Sequence, residues 1–178
     1  LKLIFGQDPV KGYMYDVIEV KAKIARGEKL LLAGDENLLK ALPAGDWIGG
    51  SIPYFMTEEG GVSTRQKIYV TELPETVSNV SIKVYDAKTL ASIYTDAAQN
   101  GFSLIVMPCL SKTHFEFALR APQYKDFGHS PLIGWIAGVH LDDLEKVSPK
   151  VFNGQTPEML EDGAVVMHAS LPSSQVAE

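Results

Sequence analysis

Between residues 16 and 26 apolar side chains recur at Val17, Val20 and Ile24, the spacing of one helical face. Asp16 stands where an N-cap belongs, and Gly27 where a left-handed residue ends a helix. Residues 29–33 (Lys-Leu-Leu-Leu-Ala) read as a short buried strand ended by Gly34. Asp35 or Asn37 can cap a short helix over residues 38–42, which Pro43 stops. An apolar, aromatic run over residues 45–56 is predicted as a strand, and residues 57–64 as a Gly-Gly turn. Residues 66–73 alternate apolar and polar, the pattern of a half-buried antiparallel strand. Residues 80–85 do the same, with Val80, Ile82 and Val84 on one side. Residues 1–14 are a Gly- and Pro-containing lead-in with a short strand expected over residues 1–5.

The second half follows the same plan. Residues 89–99 are predicted helical, with Leu90, Ile93, Tyr94 and Ala97 inward, and Asn100-Gly101 ends them. A buried strand over 103–109 leads to a helix over 111–124, capped by Ser111, with Phe115, Ala118 and Leu119 facing the core. Strands over 131–140, 150–153 and 164–171 follow, with an acidic loop at 141–146. The expected architecture is therefore α+β: strand-rich, with mostly antiparallel or mixed sheet and helices on its faces. It is one domain over residues 1–178, internally duplicated into β-α-β-β-β-like halves spanning about 16–86 and 88–171.

Composition narrows the function classes. The 178 residues carry a formal charge of −6 and no basic run, which argues against a nucleic-acid partner. A single cysteine excludes an internal disulfide framework and a cysteine-based zinc site, and suits a reducing compartment. No apolar stretch reaches the ~20 residues of a bilayer span. With no basic segment leading into an apolar one, the expected location is cytoplasmic, without a membrane partner. The chain starts at Leu1 rather than Met, so a segment upstream is expected.

Two runs stand out. Trp47-Ile48-Gly49-Gly50-Ser51 and Gly134-Trp135-Ile136-Ala137-Gly138 are apolar strands interrupted by glycine beside an indole. Glycine in a strand marks a bulge or the close approach of another backbone or a ligand. The functional reading puts a small polar ligand between these two strands. Its site is Trp47, Gly49, Gly50, Ser51, Gly134, Trp135 and Gly138, with His140 on the rim. The plain alternative is that the glycines only permit close packing.

Cys109-Leu110-Ser111-Lys112-Thr113-His114 holds the residues nearest to catalytic equipment, a thiol or hydroxyl followed by a histidine at a helix start. Read plainly, Ser111 is a cap and Cys109 a small buried residue. His129, His140 and His168, with Asp142 and Asp143, lack the spacing that sets ligands on one face, so no metal and no cofactor is expected. Tyr54, Phe55, Tyr69 and Tyr85 read as core and cross-strand pairs. The carboxylate pairs Glu58-Glu59, Asp142-Asp143 and Glu161-Asp162 read as solvated turns.

Several segments resemble a known family. Pro131-Leu132-Ile133-Gly134-Trp135-Ile136-Ala137-Gly138, followed by Val151-Phe152-Asn153-Gly154 and Asp162-Gly163-Ala164-Val165-Val166, resembles the end of the N-terminal domain of FIST sensory proteins. Trp47-Ile48-Gly49-Gly50-Ser51 is similar to an earlier strand of that family, with Gly50 where a cysteine is usual. The Gly-Glu-Ile that normally follows has no counterpart here. The likeness covers about residues 30–70 and 103–171. It implies a bacterial intracellular sensor domain that binds a small molecule, amino acids having been proposed. The signal would pass to a histidine kinase, a chemotaxis receptor or a cyclic-dinucleotide enzyme. The expected function is thus non-enzymatic ligand sensing; the alternative is a small hydrolase or transferase using Cys109 or Ser111 with His114.

Overall fold

A computed structural model describes residues 4–5, 8–9 and 12–177, with side chains from residue 12 onward. Part of the lead-in strand expected over residues 1–5 lies outside the described residues. Strand β1 (Ile4–Phe5) pairs with β2 (Asp8–Pro9). The first half continues through β3 (Gly12–Tyr15), α1 (Val17–Ala25), β4 (Leu30–Gly34), α2 (Glu36–Lys40) and β5 (Trp47–Ser51). It closes with the hairpin β6 (Tyr54–Thr57) and β7 (Gly60–Ser63), then β8 (Ile68–Glu72). The second half runs through β9 (Asn79–Tyr85), a 3₁₀ turn at Leu90–Ser92, β10 (Gly101–Pro108), α3 (Lys112–Arg120) and β11 (Leu132–Ala137). It closes with the hairpin β12 (Val151–Asn153) and β13 (Glu158–Leu160), then β14 (Ala164–Ser170).

The duplication shows in the sheets. One contains the order β5-β4-β8-β3 and the other β11-β10-β14-β9. In each, the first two strands are parallel and the others antiparallel to their neighbours. Each parallel pair is joined through a helix, as a βαβ crossover requires. Each half also carries a hairpin between its last parallel strand and its return strand, and the two hairpins end differently. Strand β12 crosses to the other half and pairs antiparallel with β5, so the first sheet has six strands in the order β13-β12-β5-β4-β8-β3. The β6–β7 hairpin pairs only with itself among the described residues.

Three apolar clusters fix the layers. Leu31, Ile48 and Val151 of the first sheet meet Leu104, Val106, Val165 and Met167 of the second, so the sheets pack face to face. Val20 and Ile24 of α1 and Leu39 of α2 cover the outer face of the first sheet over Leu30, Leu32, Trp47 and Phe152. Leu90, Ile93 and Ala121 cover the outer face of the second over Tyr85, Ile105 and Val166. Alternation along each strand feeds both layers at once, each fully buried Leu, Ile or Met contributing roughly 1.5–3 kcal/mol.

Helix α1 starts as its sequence requires. Asp16 accepts from the Glu19 N–H at 2.9 Å while the Glu19 carboxylate accepts from the Asp16 N–H at 2.9 Å, a complete capping box. Gly27, at φ +74°, takes the left-handed position beyond its end. Three expectations are corrected. The run over 45–56 is broken at Ile52-Pro53, which separates β5 from β6. Residues 89–99 form only a 3₁₀ turn followed by turns. There the hydroxyls of Ser92 and Thr95 donate to the carbonyls of Thr89 and Ser92, at 2.8 and 2.9 Å, competing with helical bonding. Helix α3 is rotated from its expected face: Thr113, Phe117 and Ala121 turn inward, while Phe115 and Leu119 are 51% and 74% exposed. At the start of the helix Asp162 accepts from the Thr113 N–H at 3.0 Å, tying its first turn to the segment before β14. Burial pulls the Asp162 carboxyl upward, but the amide bonds from Thr113 and Gly163 outweigh it and hold it below the usual range. No described helix is long and apolar enough to cross a membrane.

Candidate ligand-binding site

The ends of β5 and β11 meet. The Ser51 hydroxyl donates to the Gly138 carbonyl at 2.8 Å, and the Gly138 N–H donates to the Ser51 carbonyl at 2.7 Å. The same hydroxyl accepts from the Lys150 N–H at 2.8 Å, so one side chain ties together the last residues of β5, the segment after β11 and the start of β12. One residue earlier the strands touch directly. A Cβ on Gly50 would lie 2.7 Å from Val106 Cγ1, 2.8 Å from Trp135 Cη2 and 3.0 Å from Ala137 Cβ. The two Gly-Trp strands therefore converge, but at Gly50 the space between them is filled by protein.

Hollows flank this contact. One, of about 180 Å³, lies at the C-terminal ends of β4, β5 and β11. Ser51, Gly138 and His140 line it together with Asp35, Arg65 and Asp143. Arg65 and Asp143 form an ion pair at 2.7 Å across the two halves of the chain. The His140 ring stacks on Tyr54 at 5.4 Å, and the Tyr54 hydroxyl accepts from the Leu141 N–H at 3.0 Å, which holds the 141–146 loop in place. A second hollow, of about 400 Å³, takes in Gly134 and Trp135 and shares Ile52 with the first.

The expected site is thus divided. Ser51, Gly138 and His140 border the polar hollow, and Gly134 and Trp135 the apolar one. Gly49 and Gly50 serve packing: a Cβ on Gly49 would stand 2.7 Å from the Leu32 carbonyl oxygen. Trp47 is on the other face of the first sheet, under α1 and α2 and against Phe152, its Nε1–H donating to the Pro43 carbonyl at 2.9 Å. It borders neither hollow, because alternation from Gly50 sends it outward. Arg65 went unnoticed in the sequence, where it is one basic residue in a polar turn; only the fold brings it to Asp143.

Cys109, Ser111 and His114 do not form a nucleophile with its base. The Ser111 hydroxyl accepts from the His114 N–H at 3.1 Å as the N-cap of α3, and the His114 Nδ1 accepts from the Leu110 N–H at 3.2 Å. Among the described residues no three His, Cys, Asp or Glu side chains gather as a metal site.

His168 instead anchors a buried polar chain on the outer face of the second sheet. The Tyr85 hydroxyl lies 2.8 Å from His168 Nε2 and donates to the Asp96 carboxylate at 3.0 Å, where Lys83 also donates at 3.0 Å. Tyr85 has spent its proton on Asp96, so His168 Nε2 must carry a hydrogen and Nδ1 must accept from the Ser103 hydroxyl at 2.7 Å. Burial, aided by the Lys83 charge and opposed by Asp96, lowers the His168 pKa from 6.5 to about 4. Burial, strengthened by the bond to Asp96, raises that of Tyr85.

Duplicated sheets packed face to face, with helices outside, define an α+β protein with a charged hollow of about 180 Å³ where parallel strands of both halves end. Within that class the chain belongs to a family of unknown function, DUF6976, whose model matches residues 15–178. No curated protein and no solved structure matches it.

Proposed function

We propose that this chain is a non-enzymatic, small-molecule-sensing domain of FIST type, acting in bacterial intracellular signalling. Its ligand is a small amino acid or a related metabolite, held in the hollow where Ser51 meets Gly138. The observation that carries the reading is the charge pattern of that hollow, which is lined by the Arg65–Asp143 ion pair and by Asp35. A zwitterion needs a cation for its carboxylate and carboxylates for its ammonium, and both are present. The position also supports it, since ligands of open α/β units gather beyond the C-terminal ends of parallel strands.

Sensing requires two states that bind the ligand unequally. Arg65 precedes β8 in the first half and Asp143 lies between β11 and β12 in the second, so a ligand inserted into their pair changes how the halves are held. A signalling partner, such as a kinase, chemotaxis receptor or cyclic-dinucleotide enzyme, would read that change in the cytoplasm.

The test is a thermal-shift screen with the proteinogenic amino acids and small organic acids. A ligand at about a hundredfold its Kd adds about 2.7 kcal/mol and raises Tm by roughly 5–10 °C. Arg65→Ala is expected to lose that rise while keeping its ligand-free Tm. A wild-type protein indifferent to the whole panel would overturn the reading.

A further inference from the structure

The two inserted hairpins occupy equivalent places in the halves, yet only one is built into a sheet. In the second half, β12 completes the edge of β5, with Val151 opposite Gly50, Phe152 opposite Gly49 and Asn153 opposite Ile48. In the first half, β6–β7 stands off the equivalent edge, and no described strand pairs with the outer side of β11. The gap left there is the hollow of about 400 Å³. Its floor is the inner face of β4 and β8 at Leu31, Ala33 and Thr71, its far wall Ile133 and Trp135, and its cover the hairpin residues Phe55 and Met56.

We infer that this gap is a second binding site, separate from the polar hollow, for an uncharged, flat aromatic molecule of two or three fused rings. Among the described residues no Asp, Glu, Lys, Arg or His side chain borders it, so a charged group would meet no partner among them. Aromatic surfaces are already in place: Phe55 stacks on Tyr69 at 5.9 Å with planes 10° apart, and Trp135 stands across from them. The volume falls within the range of small-molecule pockets. The ligand also meets hydrogen-bonding groups. The Ser103 N–H donates to the Pro131 carbonyl at 2.8 Å and the Cys109 N–H to the Ala137 carbonyl at 3.0 Å, so odd-numbered residues of β11 turn their backbone toward β10. By alternation the N–H and C=O of Gly134 turn away from β10, along the open edge. An aromatic amide, lactam or phenol would satisfy them.

The experiment titrates the uncharged fluorophore N-phenyl-1-naphthylamine into the full chain. Saturable enhancement at one site is expected, with quenching of tryptophan emission through Trp135. Ala33→Phe, which fills the floor, should weaken binding by about tenfold or more. Leu119→Ser, which removes an exposed apolar residue on α3, should change nothing. Should Ala33→Phe fail to fold, amide NMR of the wild type decides. Probe-induced shifts at Gly134 and Thr71 support the site, and shifts confined to α3 overturn it. Non-saturable enhancement, unchanged affinity in folded Ala33→Phe, or loss in Leu119→Ser overturns it equally.

Discussion

The indole of Trp135 occupies the place of a missing side chain at Gly50, its Cη2 standing 2.8 Å from where a Cβ would be. Val106 and Ala137 close the same space, so no rotamer of a larger residue escapes. Gly50→Val is expected to destabilise the fold by roughly 1–3 kcal/mol, read as a lower urea midpoint. Trp135→Ala should relieve part of that cost, so the double variant should lose less than the two single ones added together.

Ser51 is buried and its hydroxyl both donates and accepts. In Ser51→Ala the Gly138 carbonyl loses a donor and the Lys150 N–H its acceptor, a cost of roughly 1–3 kcal/mol in urea unfolding. The substitution should also weaken amino-acid binding in the adjoining hollow. A variant as stable as wild type would show that the seam does not depend on this hydroxyl.

Acid should unfold the protein partly through His168. Its folded pKa of about 4 lies below the unfolded 6.5, so unfolding takes up a proton between these values. The stability it contributes is full above pH 6.5 and is lost as pH falls toward 4. The urea midpoint should therefore drop between about pH 7.5 and about pH 4.5, by the equivalent of roughly 1–3 kcal/mol. His168→Gln should flatten that part of the profile. Asp96, held below the usual range by Lys83 and Tyr85 against the opposing effect of burial, adds its own loss at lower pH.

The proton order of the chain is open to direct observation. ¹⁵N NMR of the imidazole should show His168 with its hydrogen on Nε2 at neutral pH. Tyr85→Phe removes the acceptor of that hydrogen and should cost roughly 1–3 kcal/mol. A hydrogen found on Nδ1 would reverse both bonds of the imidazole, with Nδ1 donating to Ser103 and Tyr85 donating to Nε2, and would take the Tyr85 proton away from Asp96.

Much of the scaffold was legible where local chemistry decides structure. The Asp16 cap, Gly27, the buried run of β4 and the alternation of β8 each follow from residues within one turn or strand. Helix α3 departs from its expected face because its apolar positions allow two, and the one buried packs on Tyr85, Ile105 and Val166, strand residues that a local pattern does not reveal. The convergence of the Gly-Trp strands could be anticipated from their shared pattern. Which face each indole takes could not, since it depends on a register of alternation that begins at a neighbouring strand. The charged hollow was least visible, because Arg65, Asp35 and Asp143 each sit in a polar loop and acquire meaning only through their neighbours in space.

One consequence of β12 lying beside β5 concerns the order of synthesis. A nascent polypeptide that has released β3 to β8 holds a sheet whose β5 flank lies bare until residues 151–153 emerge. Such a flank invites pairing with other chains, which makes this interval the vulnerable moment of biogenesis and a natural point for chaperone capture. The mature molecule, stitched across its midline, should by the same logic melt in a single step.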